Sequence, residues 1–207
     1  MIRDIISNDS LTILLFGSIF FIIILKKIDP IIFSQNLSFR KKELVNKIST
    51  NLWGIKFLEI LYNLLFISNI SILLAFFKDQ NFELIIYYEL FKYVFIFFAS
   101  KVLFDIIIGK VFSINRIMKN YVWQKLVYCN SLGIILLLFN FFIAYTIFDK
   151  QFMVSFFIAL SVLYLIFAYF SIFFSMKKVI YKNWFYFILY LCTLEIIPYY
   201  YLISNVL

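Results

Sequence analysis

Near the end of the chain, in "FYFILYLCTLEIIPYYYLISNVL", a single carboxylate, Glu195, stands among about twenty apolar residues, two residues after Thr193 and three before Pro198. Pro198 has no N–H to donate, so the carbonyl of Leu194 loses its usual helical partner and the helix kinks. One turn therefore offers a hydroxyl, a freed carbonyl and a carboxyl. Two chemistries fit that turn. Either Glu195 is protonated and relays protons or holds a cation or polar head group, or it is ionised and paired with a lysine from another helix. The lysines that could meet it lie in "LIIYYELFKYVFIFFASKVLFDII", which carries Glu89, Lys92, Lys101 and Asp105. Glu89 and Lys92 are three apart and Lys101 and Asp105 four apart, so each pair can neutralise itself on one helix face. Lys92 and Lys101 are nine residues apart, roughly 180° around a helix. With charges on opposite faces, this segment is expected to be surrounded by protein or water, at the centre of a bundle.

Other chemistry is limited by inventory. The chain has no histidine, which removes zincin motifs, Ser–His dyads and histidine haem ligands. Four glycines, at 17, 54, 109 and 133, are too scattered to form a phosphate cradle. Cys129 and Cys192 fall in or beside apolar runs, without metal-ligand spacing, so neither a disulfide framework nor a zinc site is expected. Acids inside apolar runs are Glu59, Glu89, Asp105 and Glu195, at different depths. Catalysis, a cofactor and a metal are accordingly not expected.

The elements that must position these groups follow from composition. Of 207 residues, 65% are hydrophobic, 23% aromatic and only 14% charged, which no soluble surface can cover at this size. Measured against the roughly 20 residues that a bilayer requires, six runs qualify, at about 10–27, 57–77, 84–108, 126–148, 152–175 and 184–206. The apolar stretch of the first, Leu11 to Leu25, is only fifteen residues long. Ser7, Asn8 and Asp9 can cap it, Lys26 and Lys27 can snorkel outward to lengthen it, and its basic flank follows the run, so it reads as a retained span and not a leader.

Orientation follows from the Lys and Arg positions. The connecting segments 26–56, 109–125 and 176–183 carry fourteen of them, and the opposite side only three, Arg3, Lys78 and Lys150. This asymmetry places the basic segments in the cytoplasm and both termini outside. Trp53, Trp123 and Trp184 each precede an even-numbered span on the basic side, as an interfacial belt. The net charge of +8 is thus a topology signal and implies no nucleic-acid partner. In the longest connection, Leu44, Val45, Ile48, Leu52 and Ile55 recur at helical spacing opposite Lys42, Glu43, Asn46 and Lys47, which predicts an amphipathic helix on the inner leaflet. Asn63, Asn69, Asn130 and Asn140 are expected to join the second and fourth spans to their neighbours. The uncharged fifth span is expected to face lipid.

The stretches "SNDSLTILLF", "KKIDPIIFSQ" and "NRIMKNYVWQKLVYCNSLGIILLLFN", with the terminal "FYFILYLCTLEIIPYYYL", resemble a bacterial integral membrane family catalogued as domain of unknown function 4271. The likeness runs over almost the whole chain. It implies residence in the cytoplasmic membrane of a Gram-negative cell and brings no established activity. Two departures stand out, Ser10 where an aromatic is expected and "GIILLLFN" where the fourth span is expected to be richer in proline. The fold expected is one all-α domain over 1–207, a six-helix membrane bundle. Two functions follow: a non-enzymatic subunit or assembly factor that contacts lipid and other envelope membrane proteins, or a small proton-linked carrier that uses Glu195 with Glu89, Lys92, Lys101 and Asp105.

Overall fold

The computed structural model describes residues 9–37, 52–79, 82–111, 115–146 and 149–182. Within them the chain forms six helices and no strand: α1 (Asp9–Ile28), α2 (Pro30–Leu37), α3 (Leu52–Lys78), α4 (Leu84–Val111), α5 (Asn115–Tyr145) and α6 (Lys150–Lys182). Lys26 and Lys27 occupy the last turn of α1, where cations favour the carbonyl end of the dipole. A single residue separates α1 from α2. Asp29 still donates its N–H to the carbonyl of Leu25 at 3.1 Å, while its carboxylate accepts from the N–H groups of Ile31 and Ile32 at 2.9 and 3.0 Å. Pro30 fills the first helical position, where no donor is required. One Asp-Pro step thereby ends one helix and starts the next.

Contacts along the helices fix their directions. Glu59, Phe66 and Asn69 of α3 meet Trp123, Gly133 and Asn140 of α5 in the same order, so these two helices run parallel. Phe66 meets Phe98, and Ser68 meets Tyr87, so α4 runs against α3. On the far side of α5, Phe139 stacks on Phe157 and Gln124 reaches Ser175, which makes α6 antiparallel to it. Thr12 with Tyr145, and Phe16 with Phe141, do the same for α1. The long helices therefore alternate in direction, as successive crossings of a membrane must.

Four of them, over Ser10–Ile28, Phe57–Lys78, Asn120–Tyr145 and Lys150–Ser175, are long and apolar enough to cross a membrane. The third expected span coincides with α4, 28 residues long, but Glu89, Lys92, Lys101, Asp105 and Lys110 make it too charged to join that group. The sixth, 184–206, lies outside the described residues, as do both termini. Of the expected interfacial helix, residues 42–51 also lie outside them, and Leu52 and Ile55 belong to the first turn of α3.

Among the described residues, the most buried helices are α3 and α5 and not the third span. In these apolar stretches 61% of residues are buried in α3 and in α5, against 17% in α1 and 22% in α6. Along α4, by contrast, Ile85, Tyr93, Ile96, Leu103 and Phe104 are exposed. Charges on two faces implied a surrounded helix, but among the described residues α3 and α5 cover only one face. The low burial of α6 agrees with the lipid-facing fifth span. What allows α3 and α5 to form the core is Gly133: a Cβ there would sit 2.8 Å from the Cα of Phe66, so the two backbones approach more closely than any other residue permits.

Candidate functional site

At the end of the bundle where α3 and α5 begin and α4 finishes, four ionisable residues, Glu59, Lys101, Asp105 and Lys125, are each more than nine-tenths buried. Their placement is a matter of spacing. Glu59 lies seven residues before Phe66, two helical turns back on the face that meets α5. Phe98, Lys101, Val102 and Asp105 recur at three and four residues and turn one stripe of α4 toward α5, which answers with Val122, Lys125 and Leu126.

The carboxylate of Glu59 accepts the indole N–H of Trp123 at 2.5 Å, and its backbone carbonyl accepts the Asn63 amide at 2.8 Å. Asp105 reaches across to α5, where Lys125 Nζ lies 3.8 Å from its Oδ2. The same ammonium lies 5.8 Å from the ring centre of Tyr121 and 5.9 Å from that of Tyr169. It is thus held by a carboxylate and two aromatic faces, which offset part of its desolvation. Lys101, Asp105 and Lys125 share a hollow of about 10 Å³ with Phe98, Val102, Val122 and Leu126, at the lower limit of room for one water. Two ammonium groups and one carboxylate around a space this small hold helices in register. They leave no volume for a substrate.

Deeper in the core, Asn140 donates to the Asn69 carbonyl at 2.8 Å while Asn69 donates to its own Leu65 carbonyl at 2.9 Å. This is the interhelical role expected of them. Asn63, expected to do likewise, bonds within its own helix. Ser131 donates to the carbonyl of Asn36 and so ties α2 to α5, beside a cluster of Leu25, Ile32 and Tyr62. At this junction polar atoms go unanswered. Among the described residues, fully buried Asn130 has no hydrogen-bond partner for either amide atom, and Asn36 Nδ2, Tyr62 Oη and Asn63 Oδ1 are likewise buried without one.

Of the residues that the sequence singled out, the structure brings Lys101 and Asp105 into the buried cluster. Glu89 and Lys92 lie toward the opposite end of α4, both exposed, and no ion pair joins them, contrary to the self-neutralising pair expected from their spacing. On an exposed face each can extend away from the other. Thr193, Glu195 and Pro198 lie outside the described residues. Glu59, Trp123 and Lys125 were not singled out as a site: Trp123 read as belt, Lys125 as topology charge. The signal for Lys125 was its register, because Val122, Lys125, Leu126 and Cys129 fall on one stripe.

A family model described as a domain of unknown function (DUF4271) matches residues 11–206. The chain belongs to this family. The matched stretch runs from within α1 through α6 and on through Glu195 and Pro198. No curated protein and no solved structure matches the chain.

Proposed function

We propose that this DUF4271 protein is a six-span protein of the cytoplasmic (inner) membrane, with both termini outside, that acts as a non-enzymatic subunit or assembly factor of a cell-envelope system. Fourteen Lys and Arg against three support the orientation, and the alternating helix directions agree with it. The observation that carries the functional reading is how the buried charges are used. Glu59 bonds an indole and Asp105 pairs with Lys125, around a hollow of only about 10 Å³. Charge placed this way fixes a shape. Shape matters most to a protein that presents surfaces, and α1 and α6 present theirs outward, with Ile13, Phe16, Phe20, Phe152, Leu163 and Phe170 all exposed.

These aromatic faces contact lipid and, in this reading, the spans of another envelope protein. Purification from native membranes, with cross-linking before solubilisation and quantitative mass spectrometry, tests it. The expected result is a companion membrane protein at fixed stoichiometry, lost when Phe152, Leu163 and Phe170 are changed together to Ala. Recovery of the protein without any stoichiometric companion would contradict it.

A further inference from the structure

The junction of α2, α3 and α5 buries more polar atoms than the described residues answer. Both amide atoms of Asn130, Asn63 Oδ1, Asn36 Nδ2 and Tyr62 Oη have no hydrogen-bond partner among them, and all four residues are more than nine-tenths buried. Helix register brings these groups together. Residues that meet across α3 and α5 differ by 64 in number at Glu59 and Trp123 and by 71 at Asn69 and Asn140, with Phe66 and Gly133 between them. Asn63 and Asn130 each lie three residues before Phe66 and Gly133, so they stand at one level, a turn below the closest approach of the two helices. From α2, the buried stripe of Ile32 and Asn36 reaches the same place. Ser131, next to Asn130, donates to the Asn36 carbonyl, and Ile32 packs with Tyr62, next to Asn63, in a cluster that Ile134 also joins. At 1.5 Å per residue, Asn63 lies about 9 Å inside the apolar stretch that begins at Phe57.

The chemistry of these atoms selects what meets them. The carbonyl oxygens of Asn63 and Asn130 accept, the amide nitrogens of Asn36 and Asn130 donate, and the Tyr62 hydroxyl does both. A cation would face amide N–H groups and an anion would face carbonyl oxygens, so a neutral molecule that both donates and accepts suits the whole set. Nearby donors of the protein are already committed: the Asn63 amide nitrogen donates to the Glu59 carbonyl, and the Ser131 hydroxyl is taken by the carbonyls of Asn36 and Val127. Buried polar groups that their own chain leaves unanswered are the usual hosts of internal water. Leu25 and Ile32, both buried beside Tyr62, keep the place closed to anything larger. A buried water makes about three hydrogen bonds, so about two of them answer the set.

We infer that the α2–α3–α5 junction is a built site for ordered water, bonded to Asn63 and Asn130 and, at its edge, to Asn36 and Tyr62, and that this water supplies the polar link between α2 and the two core helices. The inference is independent of the envelope partner proposed above, which rests on the outward faces of α1 and α6.

X-ray radiolysis of the protein in native membranes, read by mass spectrometry, tests this, because water bound in the interior is converted to hydroxyl radical and oxidises the side chains that touch it. Tyr62 and Tyr87 form a matched pair, 1% and 5% exposed, but the Tyr87 hydroxyl is already bonded to Ser68 at 3.0 Å. Tyr62 is expected to be oxidised several-fold faster than Tyr87. After rapid mixing with heavy-oxygen water, its product is expected to take up the heavy isotope later than that of Tyr145, which is exposed, because internal water exchanges slowly with the bulk. Asn130→Leu is expected to bring Tyr62 down to the Tyr87 rate and to leave Tyr145 unchanged. The comparison of Tyr62 with Tyr87 in the parent chain needs no variant and stands even if Asn130→Leu fails to fold. Oxidation of Tyr62 no faster than that of Tyr87, uptake of the heavy isotope at the Tyr145 rate, or fast oxidation of Tyr62 retained in folded Asn130→Leu would each overturn the proposal.

Discussion

Replacing Gly133 by alanine adds one methyl group at the closest approach in the bundle. The added Cβ would lie 2.8, 2.9 and 3.1 Å from the Cα, Cβ and N of Phe66. Two of these atoms are backbone, so no rotamer relieves the contact and α3 must move. Restoring an ordinary 3.4 Å separation requires a shift of about 0.6 Å (3.4 − 2.8). A shift of that size carries the 2.8 Å bond from Asn140 to the Asn69 carbonyl toward about 3.4 Å, beyond useful hydrogen-bond length. Overpacking of this kind costs about 1–3 kcal/mol and the weakened intramembrane bond about 0.6 kcal/mol. Against that, alanine recovers about 0.8–1 kcal/mol of helix propensity. The net is a loss of about 0.6–2.8 kcal/mol, or some 2–4 °C of melting temperature per kcal/mol on the scale of soluble proteins this size. Gly17→Ala is the matched control, because nothing lies within 4 Å of a Cβ there, and it is expected to leave the melting temperature unchanged or slightly raised. Thermal unfolding of both variants in one detergent, followed by tryptophan fluorescence, measures the difference. If Gly133→Ala melts at or above the parent, as Gly17→Ala should, the α3–α5 contact is not as close as described and the reasoning fails.

Three further outcomes follow from the same contacts. Asp105→Leu takes the carboxylate out of a hollow that two buried ammonium groups line, and should cost about 3–5 kcal/mol; adding Lys125→Met should recover the part that comes from Lys125, with Lys101 still buried there, and strictly additive losses of the two single changes would contradict the pairing. Asn130→Leu keeps the branched outline of an amide that has no partner among the described residues but enlarges it at a fully buried site, so relief of about 1 kcal/mol is set against overpacking of about 1–3 kcal/mol, and a loss well beyond about 3 kcal/mol would contradict the amide's lacking a partner residue. A reporter active only in the cytoplasm should be inactive after Leu207 and active when inserted near Asn46; activity after Leu207 would overturn the six-span topology.

Much of the architecture was written in local patterns. Apolar run lengths anticipated the long helices, because crossing a bilayer constrains each segment by itself. Asn69 and Asn140 were identified as interhelical because a buried amide has few other uses. The α1–α2 corner was also written, in the Asp29–Pro30 pair, but within a segment read only for its charges. What a linear reading missed depends on which faces meet. Four charges on α4 pointed to a surrounded helix, yet burial of Lys101 and Asp105 on one face says nothing about Glu89 and Lys92 on the other. The core helices were decided by a glycine, and nothing in its neighbours distinguishes Gly133 from Gly17. Trp123 and Lys125 serve both topology and packing, and only the register of α5 against α3 and α4 shows the second role.

The most direct test of the functional account is the mass of the intact assembly released from native membranes into lipid nanodiscs, with each component quantified. The account predicts a particle with this chain and at least one other envelope protein in fixed ratio, which loses that companion when the α6 face is altered by Phe152→Ala, Leu163→Ala and Phe170→Ala. A particle of this chain and lipid alone, together with a Glu195→Gln variant that keeps its stability but abolishes proton or solute uptake into vesicles, would contradict it and make the protein a carrier.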